Sequence, residues 1–428
     1  KKMGGRRMMG RFLVSGGKRL SGELRVCGAK NAALPIFAAS LLTDEHVRLY
    51  DCPEISDADN MLEILATLGC KVQRDGDTVD IDPSSAESYT MPPSISKRLR
   101  SSIFMLGPVL GRFKRAHFTY PGGCEIGSRP IDLHLSGLAK LNVLIKEEHG
   151  CIECIGDDMR GSEVHLDYPS VGATENIMMA AVAAKGDSII YNAAREPEIV
   201  DLQDFMNKQG FHINGAGTST IFVRSGCSKR EVEHRIIPDR IVAGTLLCAA
   251  AMTKGEITLT NADPSHMISV LSKLREAGCE INTDGDLINL RSHGRPGEIS
   301  IIETLPYPGF PTDMQSQMFA LCCVSSGTSI IVENVFENRF KCAPELSRMG
   351  AKITMKDRTA VVRGVGKLTG AVVNAKDLRG GAALVLAALA AEGDSVIYGS
   401  EYIDRGYERL DLMMSRLGAD IRKDEGNE

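Results

Sequence analysis

Residues 255–281 read GEITLTNADPSHMISVLSKLREAGCEI, and the order of side chains in this stretch decides the fold. Ile257 and Leu259 alternate with polar neighbours as a half-buried strand does, and Asn261 to Ser265 make a polar turn. Met267, Val270, Leu271 and Leu274 then recur at the spacing of three and four that puts them on one face of a helix. Gly278 stops that helix, because glycine takes the left-handed conformation that closes a helix end, and a second short strand follows. The same order returns four times, in DEHVRLYDCPEISDADNMLEILATLGCKV at 44–72, GDSIIYNAAREPEIVDLQDFMNKQGFHI at 186–213, GTSIIVENVFENRFKCAPELSRMGAKI at 327–353 and GDSVIYGSEYIDRGYERLDLMMSRLGADI at 393–421.

The glycine stops are Gly69, Gly210, Gly278, Gly350 and Gly418, and the first interval is about twice the other three. A sixth, altered unit therefore belongs between Gly69 and Gly210, where IDLHLSGLAKLNVLI around Asn142 supplies the missing helix. Each unit is preceded by a helix-like run rich in small residues, such as NAALPIFAASLLT, TENIMMAAVAAK, RIVAGTLLCAAAMTK or GGAALVLAALAAE, which suits close packing in an interior. Six units of helices alternating with short strands predict an α/β fold in two groups of three, units near 30–100, 100–170 and 171–237 making one half, with the break near Ile237-Pro238. A solenoid is the rival arrangement, but no terminal capping repeat is evident.

A chain of 428 residues exceeds one ordinary core and predicts at least two domains. With 43% hydrophobic and 25% charged residues it reads as a globular protein, and no apolar run approaches the roughly 20 residues that cross a bilayer. The basic start KKMGGRRMMGR has no apolar segment and reads as a disordered leader or a cloning remnant rather than an address. Twelve cysteines scattered singly, several within apolar runs, fit small buried hydrophobes in a reducing compartment and predict a cytoplasmic protein. Cys151 and Cys154 in GCIECIG are the one spaced pair, and nothing completes them into a metal site. A net charge of -5 disfavours a general nucleic-acid surface, so any anion must be met by local cations.

Those cations have suggestive positions. Lys30 in GAKNAALP precedes an apolar helix whose first turn has free N–H groups, a place for an anion, although a lysine there is also commonly just solvated. Arg100 lies in a charged turn, Arg379 in DLRGGAA precedes another small-residue helix, and Arg405 in IDRGYER follows a strand and a turn. Several guanidiniums from different repeats suit a small, highly charged anion, since arginine grips carboxylate and phosphate in a bidentate manner. Asp313 in GFPTDMQSQ opens a helix after a proline turn and reads either as a helix cap or as a general base. Cys124 in PGGCEIGSRP, at 121–130, sits in a stretch whose glycines and prolines continue neither helix nor strand. With Arg129 nearby it reads either as an inert loop thiol or as a thiol of adjusted reactivity.

PGGCEIGSRPIDLHL, GAKNAALP, PTDMQSQ, VFENRF, DLRGGAA and YIDRGYERL together resemble the UDP-N-acetylglucosamine enolpyruvyl transferase family, and the resemblance runs from about Leu20 to Asp420. It implies a two-domain inside-out α/β barrel of six βαβαββ units, three per domain. Residues 1–29 with 238–428 would form one domain and residues 30–237 the other. Two crossings of the chain, near Gly28 and Pro238, would make a hinge, with the substrates in the cleft it closes.

The reaction implied is transfer of the enolpyruvyl group of phosphoenolpyruvate to the 3'-hydroxyl of UDP-N-acetylglucosamine, with release of phosphate, the first committed step of peptidoglycan synthesis. By resemblance Cys124 protonates phosphoenolpyruvate and Asp313 accepts the hydroxyl proton. Lys30, Asn31, Arg129, Arg379 and Arg405 hold phosphoenolpyruvate. Arg100, Arg129, Pro130, Ile131, Asp132, Leu133, Tyr168, Val171, Asp313 and Val335 meet the sugar nucleotide. The Cys124 segment would complete the site after the sugar nucleotide binds, giving ordered binding. Neither metal nor organic cofactor is implied, the partners are the two small molecules, and neither nucleic acid nor membrane is involved. Two alternatives stand beside this reading: 5-enolpyruvylshikimate-3-phosphate synthase, which lacks the PGGC stretch, and an idle paralogue that senses UDP-N-acetylglucosamine without turning it over.

Overall fold

The computed structural model describes residues 10–91, 100–120 and 131–425. They form two compact units, one taking the segment that ends at Val26 together with the segment from Pro238 onward, the other lying between Cys27 and Ile237.

In the unit that begins again at Pro238, three helices fill the centre. Every residue of Arg240–Met252 after Arg240 is buried, as is every residue of Gln315–Val324, and Leu378–Ala390 is buried from Arg379 to Leu389. Helices that are apolar around nearly their whole circumference have no face to offer water, so they pack on one another. Three four-stranded sheets surround them. In one, Thr328–Val332 pairs in parallel with Ile301–Glu303 and antiparallel with Thr359–Arg363, and Lys352–Lys356 forms the far edge. Glu256–Thr260 holds the same place between Ser21–Arg25 and Leu287–Arg291, with Glu280–Asp284 outermost. Asp394–Tyr398 does so between Val372–Asn374 and Arg11–Ser15, with Asp420–Asp424 outermost. Alternate residues of these strands, such as Ile257 and Leu259 or Val396's neighbours Ser395 and Ile397, are buried. The sheets therefore turn one face to the helices and the other to water. Helices inside and sheets outside make the inside-out α/β arrangement.

The other unit repeats the pattern. Val47–Tyr50 pairs in parallel with Val232–Arg235 and antiparallel with Thr78–Asp82, and Ser188–Tyr191 pairs likewise with Glu163–His165 and Thr220–Arg224. In the third sheet Arg115–Thr119 pairs antiparallel with Cys151–Ile155, and a single parallel bridge from Thr90 to His117 marks the place of the parallel neighbour. Helices Lys30–Ala39, Leu106–Phe113 and Val171–Ala181 are the buried counterparts here. Their small residues allow close approach: a Cβ on Gly107 would lie 2.4 Å from the carbonyl oxygen of Asn176.

The six repeats are also marked in the backbone. The five glycine stops all have positive φ, from 85° at Gly278 to 106° at Gly69, and Asn142 ends the sixth helix at φ 65°. Asparagine is the residue that most readily replaces glycine in the left-handed region, which is why the sixth unit is disguised in the sequence. Among the described residues no helix is long and apolar enough to cross a membrane.

Candidate active site

In the unit that contains Pro238 onward, the short 3-10 turn Thr312–Met314 leads into the central helix Gln315–Val324. Pro311 occupies the cap position and no side chain caps either element, so the Asp313 carboxylate is not used in capping. It is held between two arginines instead. Oδ1 accepts from Nη2 of Arg339 at 2.5 Å, and Oδ2 accepts from Nη2 of Arg379 at 3.0 Å. Arg339 also donates to the carbonyl of Thr312 through Nε and Nη2, at 3.2 and 3.1 Å. Both guanidinium side chains are 3% exposed, whereas the Asp313 side chain is 26% exposed, so the carboxylate is the part of this cluster that solvent or a ligand reaches.

Arg379 is the second residue of Leu378–Ala390, whose N-terminus is capped by the Asp377 carboxylate accepting from Gly380 N–H at 2.8 Å. Burial opposes its charge, but Asp313, Tyr407 and Asp239 outweigh that and its pKa is raised. Its Nε and Nη1 have no hydrogen-bond partner among the described residues. Buried guanidinium N–H groups left without an acceptor are costly, and an oxyanion satisfies them. Arg405 lies in the turn that follows Ser400–Ile403, two residues before Tyr407.

Val335 is positioned through Glu333, a fully buried carboxylate. Glu333 Oε1 accepts from the backbone N–H groups of Val335 and Phe336 at 2.8 and 3.0 Å, and from the Thr304 hydroxyl at 2.9 Å. Its Oε2 accepts from the Thr312 hydroxyl at 3.0 Å, which ties this loop to the residue before Asp313. Arg339, in the same VFENRF motif, has its guanidinium 5.6 Å from the Phe336 ring centre. Sequence reasoning took only Val335 from that motif. Nothing in its spacing points from Arg339 to a carboxylate 26 residues earlier.

In the unit between Cys27 and Ile237, Lys30 opens the central helix Lys30–Ala39 and its Nζ lies 2.6 Å from Asp57 Oδ2, with both side chains almost wholly buried. The pairing offsets a cation placed at the positive end of a helix dipole. Asn31 follows on the same turn and is half-buried. Ile131, Asp132 and Leu133 form the start of helix Asp132–Lys140, and Val171 opens Val171–Ala181 under a Ser170 cap, three residues after the exposed Tyr168. Arg100 begins the 3-10 segment Arg100–Met105, where burial lowers its pKa. Cys124, Arg129 and Pro130 lie outside the described residues.

His134, in the IDLHL stretch, shows how fully this region is built. Gly107 N–H donates to Asn176 Oδ1 at 2.8 Å, which fixes the amide, so Nδ2 donates to Ile103 O at 2.9 Å and to His134 Nδ1 at 2.8 Å. Nδ1 is therefore an acceptor, the ring is neutral, and burial followed by the Arg100 charge pushes its pKa down to about 3. Between about pH 3 and 6.5 the unfolded chain binds a proton at this position that the folded chain refuses. Stability from this group is thus full above pH 6.5 and is lost as pH falls through that window. His134→Gln keeps an acceptor and removes the titration. The fall in Tm from pH 7 to 5 is expected to be shallower than in the wild type, and equal slopes would contradict a neutral His134.

A cavity of about 450 Å3 elsewhere on the first of these units, bordered by Arg19, Lys254, Arg291 and His293, holds none of the residues above. Two of its side chains already face carboxylates, Arg291 on Glu256 and His293 on Glu280.

The pattern of the EPSP synthase family (3-phosphoshikimate 1-carboxyvinyltransferase) matches residues 14–412. The chain belongs to the EPSP synthase family. Within that family it is 52% identical over 413 residues to UDP-N-acetylglucosamine 1-carboxyvinyltransferase 2 of Caldanaerobacter subterraneus subsp. tengcongensis, covering 96% of this chain and 99% of the relative. It is 46% identical to UDP-N-acetylglucosamine 1-carboxyvinyltransferase of Myxococcus xanthus, over 97% of this chain and all of the relative. The fold matches the enolpyruvyl transferase NikO from Streptomyces tendae with a TM-score of 0.87 at 23% identity, over 97% of this chain and 99% of that one. EPSP synthase from Acinetobacter baumannii matches with a TM-score of 0.76 at 16% identity, over 97% of this chain and all of that one. The chain thus shares its fold with both of these solved structures.

Proposed function

We infer that this chain transfers the enolpyruvyl group of phosphoenolpyruvate to the 3'-hydroxyl of UDP-N-acetylglucosamine and releases phosphate, in the cytoplasm, as the committing step of peptidoglycan synthesis. The observation that carries this beyond the relatives' names is the Asp313 carboxylate held between Arg339 and Arg379, the latter with two buried nitrogens, Nε and Nη1, lacking an acceptor among the described residues. A proton acceptor and an oxyanion holder side by side are what addition of a hydroxyl to an anionic enol ether requires.

In this reading Asp313 accepts the proton of the 3'-hydroxyl as its oxygen bonds to the central carbon of phosphoenolpyruvate, and Cys124 gives a proton to the methylene carbon. A tetrahedral intermediate results, carrying both the phosphate and the sugar oxygen on one carbon. Loss of a methyl proton and departure of phosphate then restore the double bond. Lys30, Asn31, Arg129, Arg379 and Arg405 hold the phosphate and carboxylate of phosphoenolpyruvate. Arg100, Arg129 to Leu133, Tyr168, Val171 and Val335 hold the sugar nucleotide. Asp57 keeps Lys30 in place through its 2.6 Å ion pair. Residues 1–29 with 238–428 and residues 30–237 are the two domains of the enzyme.

The test is phosphate release from phosphoenolpyruvate with UDP-N-acetylglucosamine or shikimate 3-phosphate as acceptor. Release with the sugar nucleotide alone is expected. Release with shikimate 3-phosphate instead would make the chain an EPSP synthase in activity as well as family. Release with neither, beside measurable sugar-nucleotide binding, would make it a sensor.

A further inference from the structure

The three central helices of this unit are apolar along nearly their whole length, yet they meet in one buried polar node. Thr245 comes from Arg240–Met252, Gln317 from Gln315–Val324, and Tyr407 from the turn before Leu410–Arg416, with the Arg379 guanidinium, from Leu378–Ala390, 5.4 Å from the Tyr407 ring centre. Tyr407 is 1% exposed, while Thr245 and Gln317 are fully buried. The donors and acceptors settle the wiring. Thr245 Oγ1 donates its single proton to Ile241 O at 2.7 Å, so at the 2.9 Å contact it accepts from the Tyr407 hydroxyl. Gln317 Nε2 donates one proton to the main-chain carbonyl of Asp313 at 2.9 Å and shares the other between the Tyr407 and Thr245 oxygens, both at 3.1 Å.

We propose that Tyr407 is a positioning residue for the transfer reaction, its ring supporting the Arg379 guanidinium and its hydroxyl, through Gln317, fixing the backbone that carries the Asp313 carboxylate. The proposal rests on the reaction assigned above. A polar group inside an apolar bundle is retained at a cost in burial, and here what it secures is relative placement: one side chain sets both the proton acceptor and the oxyanion holder. The two halves of the role separate chemically. The ring faces the group that binds phosphoenolpyruvate, so removing it acts on KM. The hydroxyl also acts electrostatically on Arg379, but through Gln317 it reaches the backbone of the group that moves the proton, so removing it acts chiefly on kcat.

The experiment compares steady-state phosphate release and Tm for the wild type, Tyr407→Phe, Tyr407→Leu, Thr245→Val and Thr245→Ser. Tyr407→Phe keeps the ring and is expected to lose about tenfold in kcat, with KM for both substrates within about twofold of wild type. Tyr407→Leu adds a rise of about fivefold in KM for phosphoenolpyruvate, from loss of the ring beneath the cation. Thr245→Val should reproduce the kcat loss of Tyr407→Phe, and Thr245→Ser should restore most of it. These last two decide the matter if the Tyr407 variants fail to fold. A purely structural role would lower Tm and active fraction without separating kcat from KM, and that result, or wild-type kcat in Tyr407→Phe and Thr245→Val, overturns the proposal. A wild type that releases no phosphate overturns the assigned reaction, and the positioning role with it.

Discussion

Replacing Asp313 by asparagine is expected to leave both substrates bound and to lower kcat by about 10²–10⁴-fold, the range that general base catalysis contributes. The amide has nearly the shape of the carboxylate but cannot take up the hydroxyl proton. It also leaves Arg379 and Arg339, both 3% exposed, without the charge that now faces them at 3.0 and 2.5 Å. Uncompensated buried charge costs about 3–5 kcal/mol where a pair is wholly buried, and with Asp313 itself 26% exposed the loss falls below that, at about 1–3 kcal/mol. Two measurements therefore accompany the kinetics. Tm should fall in the variant, and inorganic phosphate should raise it more in the variant than in the wild type, because an added anion replaces the missing one. Near-normal turnover in Asp313→Asn would remove the residue from the base role. A kcat loss without a change in the phosphate response would leave the base role standing and remove the electrostatic one.

The repeat was readable because its signals are local. Gly278 or Gly418 announces a left-handed helix stop within its own few residues, and the apolar runs before each unit declare a helix with no wet face. What the sequence did not reveal is pairing at a distance. Arg11–Ser15 fills the third place in a sheet with Asp394–Tyr398 and Asp420–Asp424, so the first strand among the described residues completes the repeat at 393–421. Alternation in RFLVS identifies a strand but carries no address for its partners nearly the whole chain away. Asn142 shows the intermediate case, where the conformation is that of the glycine stops at φ 65° but the residue type advertises it less.

The site divides along the same line. Asp313 stood out by its motif, yet its local reading as a helix cap differs from what the side chain does, since Pro311 is the cap residue and both carboxylate oxygens go to arginines. Lys30 at a helix start looked like a simple anion holder, and its 2.6 Å contact with Asp57 was not visible from GAKNAALP. Arg339, Gln317 and Tyr407 were all inside quoted motifs and none was singled out. Their meaning arises where three helices and a turn converge, which no window of the sequence contains.

A phosphonate epoxide that resembles phosphoenolpyruvate, fosfomycin, is expected to alkylate Cys124 alone and to abolish turnover. The attacking species is the thiolate, which opens the epoxide by forming a C–S bond as the C–O bond breaks, the oxygen then taking a proton. The other eleven cysteines, all within the described residues, are poor competitors. Burial pushes the pKa of Cys52, Cys154, Cys322 and Cys342 up to about 12 and that of Cys70 and Cys279 to about 11. Burial likewise raises Cys248 and Cys323 well above the ordinary thiol value. That leaves Cys27 and Cys151, which are half-buried, and Cys227, which is exposed. None of the three belongs to the phosphoenolpyruvate site assigned above, so none should react at a rate that saturates with the phosphonate. Peptide mass spectrometry after complete inactivation should find one adduct, on Cys124, and phosphoenolpyruvate should slow its appearance. An adduct on Cys27, Cys151 or Cys227 with activity lost would take the proton-donor role away from Cys124. Modification of Cys124 with turnover intact would show that the reaction does not need its thiol.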